Sequence, residues 1–221
     1  MTSGSGSLEL VDGLARHGIQ EILHFTTNRG LVGILASGAV KSRARLPTEK
    51  YLEFIFEPNA VLRKDQAWLD YVNCSMSAIN SKFFDVCANC WHRGEDLFWL
   101  VLGFDPVIAT HDDVRFTTTN NMYSGVSRRM GADGFEAMFA DRITQWVGHD
   151  VIRSLLLGTE HPTDEQAEVL YPGEVSTEYL RTVYTPTEHA FDVVGAHLAV
   201  FPHPNVDVVL DPSLRRRMGG L

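Results

Sequence analysis

The residues best placed to do chemistry in this sequence lie in PTDEQAEVLYP, residues 162–172, where Glu168 stands between Ala167 and the apolar pair Val169 and Leu170. Taking a carboxylate out of water is costly unless hydrogen bonds or a cation compensate. A chain that keeps one at the mouth of a short apolar strand has either left it on a solvated rim or set it to stabilise positive charge. Basic side chains are grouped as Lys41, Arg43 and Arg45, as Arg63 and Lys64, as Arg128 and Arg129, and as Arg215 to Arg217. Solvated surface charge accounts for any one group, yet together they allow a local basic groove on an acidic body. Cys87-Ala-Asn-Cys90 with His92 can offer three ligands to zinc, but a second spaced pair is missing, and buried or loop thiols are the plainer expectation.

Positioning these groups requires elements that the apolar spacing outlines. Leu8, Val11 and Leu14 predict a helix over 8–17, Ile22 to Phe25 a short strand, and Leu31, Ile34 and Leu35 a second helix that Asn28 caps and Gly38 ends. Residues 43–69 read as a long irregular loop, a kind that is usually functional or mobile. YVNCSMS (71–77) and LFWLVLGFD (97–105) predict strands, the second central and buried, with Pro106 stopping it. Thr117 to Asn121 is turn-rich. The stripe Phe135, Met138, Phe139 and Ile143 predicts a helix packed on the sheet, and 167–170, 181–184 and 206–210 are short strands. The pattern is that of one α+β domain.

Composition limits the partners. The 221 residues, 44% hydrophobic and 21% charged, suit one globular domain, and no apolar run approaches a membrane span. The opening MTSGSGS lacks the basic stretch and apolar core of a signal peptide, so residues 1–7 are expected as a disordered tail to a single domain over 8–221. Three cysteines suit a reducing compartment, and a cytoplasmic location is expected. The net charge of -9 excludes a protein that coats nucleic acid by global attraction.

Taken in order, HFTTNRGLVGILASGAVKSR from His24, Arg63 before DYVNCSMSAINSKFF, LFWLVLGFDP, FTTTNN and DEQAEVLYP resemble the DarT family of DNA ADP-ribosyltransferase toxins, from about His24 to Asp211. The resemblance implies an ADP-ribosyltransferase-like α+β fold of two packed mixed or antiparallel β-sheets, with an NAD cleft and flanking helices. It implies transfer of ADP-ribose from NAD to a base of single-stranded DNA with release of nicotinamide, no metal, and a partner antitoxin bearing a macrodomain of the DarG type. Glu168 takes the place of the family's catalytic carboxylate and Arg63 that of its second catalytic residue. His24, Phe25 and Thr26, with Leu31, Gly33, Arg63 and Tyr71, are the implied NAD contacts. The family often has an Asn-Leu pair where this chain has Gly30-Leu31.

Opening the bond between nicotinamide and ribose creates an oxocarbenium-like centre, which a fixed carboxylate such as Glu168 stabilises. Arg63 suits the NAD diphosphate, and its ordinary pKa makes it a poor base. Tyr71, Asn80 and Phe83 can form a shelf for nicotinamide or an unpaired base, with core packing the competing use of Phe83 and Phe84. Asn120, Asn121, Arg128 and Arg129, in a polar turn-rich segment, are expected to hold the DNA strand. RNA or protein as acceptor, or a non-catalytic NAD- or nucleic-acid-binding module, are the alternatives.

Overall fold

The computed structural model describes residues 3–46, 66–91 and 97–214. The described residues build an eight-stranded sheet in the order β12-β11-β4-β1-β3-β9-β5-β6. These strands are β1 (Ile22–Thr27), β3 (Tyr71–Met76), β4 (Trp99–Phe104), β5 (Arg115–Thr117), β6 (Arg128–Met130), β9 (Glu168–Pro172), β11 (Leu180–Thr185) and β12 (Asp207–Leu210). Two short ribbons pair β2 (Ala39–Lys41) with β10 (Glu174–Ser176), and β7 (Arg142–Trp146) with β8 (His149–Ile152). Every described pairing is antiparallel except that of β11 with β12.

The ladder is weakest in the middle. β1 pairs with β4 along its whole length but with β3 only at Ile22 with Met76 and Leu23 with Ser75. Beyond these residues the two strands part, so the expected two sheets are the halves of one ladder that is nearly split. Strand alternation puts Val72, Cys74, Met76, Leu100, Leu102, Phe116 and Val169 into the larger core, and Leu23, Trp99 and Val101 into a smaller one with Ile79, Phe84 and Cys87. All six residues of β4 are buried, as its apolar run predicts.

Helices close both faces. Helix α1 (Ser3–His17) takes in residues read above as tail, and its buried face is Leu10 and Leu14, while Leu8 and Val11 face outward. It docks through Arg16, which bonds to Glu136, and through His17, whose ring stacks on Phe139 at 3.8 Å. Helix α2 (Asn28–Ser37) is capped by Thr27 rather than Asn28: the Thr27 hydroxyl accepts from the Gly30 N–H at 3.1 Å. Gly38, at φ 72°, ends it as expected. Helix α3 (Ser81–Asp85) continues into a π-helical turn over Val86–Trp91. Helix α4 (Gly131–Ala137) is shorter than its predicted stripe, and Ile143 lies in β7. Helix α5 (Glu188–Val200) buries Ala190, Val194 and Leu198. No helix among the described residues is long and apolar enough to cross a membrane.

Candidate active site

Where β1 and β3 part, a cleft of about 360 Å³ opens. His24 bridges the gap: its ring Nδ1 lies 3.0 Å from the backbone carbonyl of Asn73, replacing a ladder bond that the diverging strands no longer make. A carbonyl only accepts, so Nδ1 carries the proton and Nε2 of the neutral ring is an acceptor. Burial holds the His24 pKa below its ordinary value, outweighing the raising effect of the Asn73 carbonyl, and keeps the ring neutral. His24 therefore presents Nε2 to the cleft as a hydrogen-bond acceptor rather than a donor.

Glu168 stands on the opposite wall as the first residue of β9, across from Thr117. Its N–H donates to the Thr117 hydroxyl at 2.9 Å, which in turn donates to the Thr119 carbonyl at 2.7 Å. The Asn73 carboxamide donates to its Oε1 at 3.1 Å and the Asn121 N–H to its Oε2 at 2.9 Å. Two protein donors thus take the place of lost water, so the carboxylate sits half-buried without the full cost of desolvation.

Behind it lies a second carboxylate, Asp164, only 3% exposed. Its Oδ2 accepts from the Thr119 hydroxyl at 2.5 Å and from Gln145 Nε2 at 2.6 Å, and its Oδ1 from the Gln166 N–H at 2.9 Å. The turn carrying Asn121 and the turn leading into Glu168 are locked together through this one side chain. Asp164 was within the quoted stretch but reads there as one acidic residue among several.

The rim beyond Glu168 is aromatic and basic. The Arg115 and Arg128 guanidinium groups each lie 5.4 Å from the Trp68 ring centre, and the Tyr71 ring is 5.3 Å from Trp68. Arg128 also donates to the Asn121 side-chain and backbone oxygens. On the far wall, Phe25 packs against Phe83 at 5.7 Å and Trp99 at 5.8 Å, and Asn80 caps α3 by accepting from the Phe83 N–H at 3.0 Å.

Of the residues singled out in the sequence, His24, Phe25, Thr26, Tyr71, Asn80, Phe83, Asn120, Asn121 and Glu168 line the cleft together. Leu31 does not: it is fully buried in the larger core. Gly33 is on the exposed side of α2. Phe84 is also core, which divides the Phe83-Phe84 pair between site and packing. Arg128 touches Asn121, whereas Arg129, the next residue along the strand, faces the other way and is exposed. Arg63 and Lys64 lie outside the described residues; Leu46 and Trp68, which flank that segment, line the cleft, as do Lys41 and Arg43. Cys87 is a buried thiol whose pKa burial pushes up to about 12, and His92 lies outside the described residues. Asn73, Trp68 and Arg115 were not singled out as site residues; Asn73 lay inside the DYVN block, with nothing in its type to mark it.

Compared with known proteins, residues 23–214 match the family described as DarT, single-stranded-DNA thymidine ADP-ribosyltransferase. The chain belongs to the DarT family. It is accordingly an NAD-dependent ADP-ribosyltransferase of single-stranded DNA. Solved DarT structures share its fold. Thermus sp. 2.9 DarT in complex with ADP-ribosylated single-stranded DNA superposes with a TM-score of 0.64 at 16% identity, over 89% of this chain and 96% of that one. The same protein in complex with NAD+ gives 0.60 at 16% identity, over 88% and 96%. Thermosipho africanus DarTG in complex with ADP-ribose gives 0.58 at 13% identity, over 88% of this chain and 50% of that one. No curated protein sequence matches the chain.

Proposed function

We propose that the two walls of the cleft divide the reaction, the β1 wall holding NAD and the β5–β9 wall holding the acceptor base, with Glu168 between them. The observation that carries this reading is the carboxylate of Glu168 fixed by Asn73 and by the Asn121 N–H at the junction of the walls. In this reading the neutral His24 accepts from a ribose hydroxyl, and Phe25 and Phe83 cover the nicotinamide. Arg63 meets the diphosphate. As the bond from nicotinamide to C1′ breaks, its electron pair leaves on the nicotinamide nitrogen, and Glu168 stabilises the positive charge left on the sugar. A ring nitrogen of the base supplies the pair for the new bond to C1′ and loses its proton, so each turnover releases nicotinamide and one proton.

The family description supports thymidine as the acceptor. Single-stranded DNA avoids the few kcal/mol of extruding a base from a duplex. Trp68 and Tyr71, flanked by Arg115 and Arg128, offer an unpaired base a stacking surface close to phosphate-binding cations. A macrodomain antitoxin that removes the adduct completes the proposal, supported by the likeness to half of the DarTG chain. A cytoplasmic location fits such a pair.

Mass spectrometry of oligonucleotides that each lack one base type, incubated with enzyme and NAD, tests the reading. An ADP-ribose adduct on every oligonucleotide containing thymine, and its loss by about 10²–10³ in rate for Glu168→Ala, is the expected result. Adducts confined to RNA or protein, or full activity in the variant, would overturn it.

A further inference from the structure

Asn121 is 2% exposed and lines the cleft, yet its Nδ2 has no hydrogen-bond partner among the described residues. The orientation of the carboxamide is not arbitrary. Arg128 Nε can only donate, so the Asn121 atom beside it is the oxygen, and the amino group is the end left over. The residue is also anchored through its backbone, by the N–H that donates to Glu168 and by the carbonyl that accepts from Arg128. A buried donor without a partner is uncommon in a folded protein and marks a place where an acceptor is to arrive.

We infer that Asn121 Nδ2 donates to the 4-carbonyl oxygen of the acceptor pyrimidine and so selects the base that is modified. This rests on the reading above, in which the wall bearing Trp68, Tyr71 and Arg128 takes the base. Asn121 belongs to that wall through Arg128, which sits on both Asn121 and the Trp68 ring. Among the described residues a second buried carboxamide with an unpartnered amino group, Asn80, is 4% exposed and belongs to the opposite wall beside Phe83.

The chemistry explains a preference among bases. Thymine and uracil present carbonyl oxygens on both sides of the ring N–H, whereas cytosine presents an amino group at one of those positions. A donor fixed opposite that position pairs with a carbonyl and meets another donor in cytosine. Because Asn121 is held at side chain and backbone, it cannot turn over to offer its oxygen without breaking the bond to Arg128.

The test pairs enzyme variants with substrate analogues in a double-mutant cycle. Wild type, Asn121→Ala and Asn121→Asp are assayed on single-stranded oligonucleotides holding one thymine, 2-thiothymine, 4-thiothymine, uracil or cytosine. Asn121→Asp keeps an oxygen for Arg128 and guards against a variant that fails only by misfolding. Both variants should lose about ten- to a hundredfold in kcat/KM on thymine. On 4-thiothymine, wild type and Asn121→Ala should differ by less than about twofold, because sulfur is a weak acceptor, whereas on 2-thiothymine the loss should match that on thymine. Wild type should accept uracil nearly as well as thymine and reject cytosine. An equal loss for Asn121→Ala on thymine and both thio analogues would overturn the carbonyl contact while leaving the proposed reaction standing. Absence of labelling by wild type on every oligonucleotide would instead sink the reaction itself, and the inference with it.

Discussion

The carboxamide of Asn73 reaches Glu168 Oε1 at 3.1 Å, although the two residues are 95 apart in the chain. The contact exists because β3 and β9 are neighbours in the sheet, with Asn73 opposite Leu170. Replacing Asn73 by alanine removes the donor while leaving its backbone carbonyl for His24. A hydrogen bond to a charged group contributes about 1.5–3 kcal/mol, so kcat should fall about ten- to a hundredfold, with KM for NAD changed much less. Steady-state kinetics decides it, and a variant with raised KM and intact kcat would make Asn73 a binding contact instead.

Glu168 itself was legible because an acidic residue inside QAEVL stands out, and the apolar run of β4 announced a buried central strand. The donors that orient Glu168 were not legible, since Asn73 and Asn121 lie 95 and 47 residues away and only the strand order brings them near. The error at Ile143 has a local cause. Its spacing from Phe139 continues the helical stripe, but Thr163 captures the Met138 and Ala140 carbonyls that a longer helix would use. Gly148, at φ 82°, then turns β7 into β8. Thr27 displaced Asn28 as the helix cap because the strand before it runs on to Thr27, one residue short of the asparagine.

His24 gives the fold a dependence on pH. Its pKa in the folded protein is held below the ordinary 6.5 by burial. As pH falls through the ordinary value, the unfolded chain takes up a proton that the folded chain refuses, so stability declines until the lowered native pKa is passed. Urea midpoints measured from pH 7.5 down to 5 should therefore drop more steeply for wild type than for His24→Asn. Parallel curves would show that the acid sensitivity comes from elsewhere.

Arg128 and Arg129 are adjacent in sequence but opposite in direction, as strand alternation requires. Arg128 holds Asn121 and lies over Trp68, while Arg129 is exposed. Arg128→Ala should cut transfer to DNA by about tenfold or more, the scale of losing a charge-assisted hydrogen bond. Arg129→Ala should change it by less than about threefold, the scale expected of a solvated charge. Equal losses for the two variants, measured at several salt concentrations, would mean that the DNA path crosses both faces of β6.

Gly125 bears on the site from a distance. Its N–H donates to the Gln145 carbonyl at 2.9 Å, tying the turn that carries Asn120 and Asn121 to β7. A Cβ there would meet the Thr144 carbonyl oxygen at 2.6 Å and that of Gln145 at 2.9 Å, and both are backbone atoms that cannot swing aside. Gly125→Ala must therefore push the turn off the ribbon, shifting the Asn121 N–H away from Glu168. A loss of about 1–3 kcal/mol of stability follows from the overpacking, and displacement of the carboxylate by a fraction of an ångström should lower kcat by about tenfold or more. Gly33→Ala supplies the contrast. None of the described residues lies within 4 Å of a Cβ at that helical position, so alanine should stabilise by about 0.5–1 kcal/mol and leave kcat/KM unchanged. Thermal melts and kinetics on the two variants read both effects. A rise in KM for NAD in Gly33→Ala would put that glycine back among the NAD contacts, and an unperturbed Gly125→Ala would show that the turn is not what holds Glu168 in place.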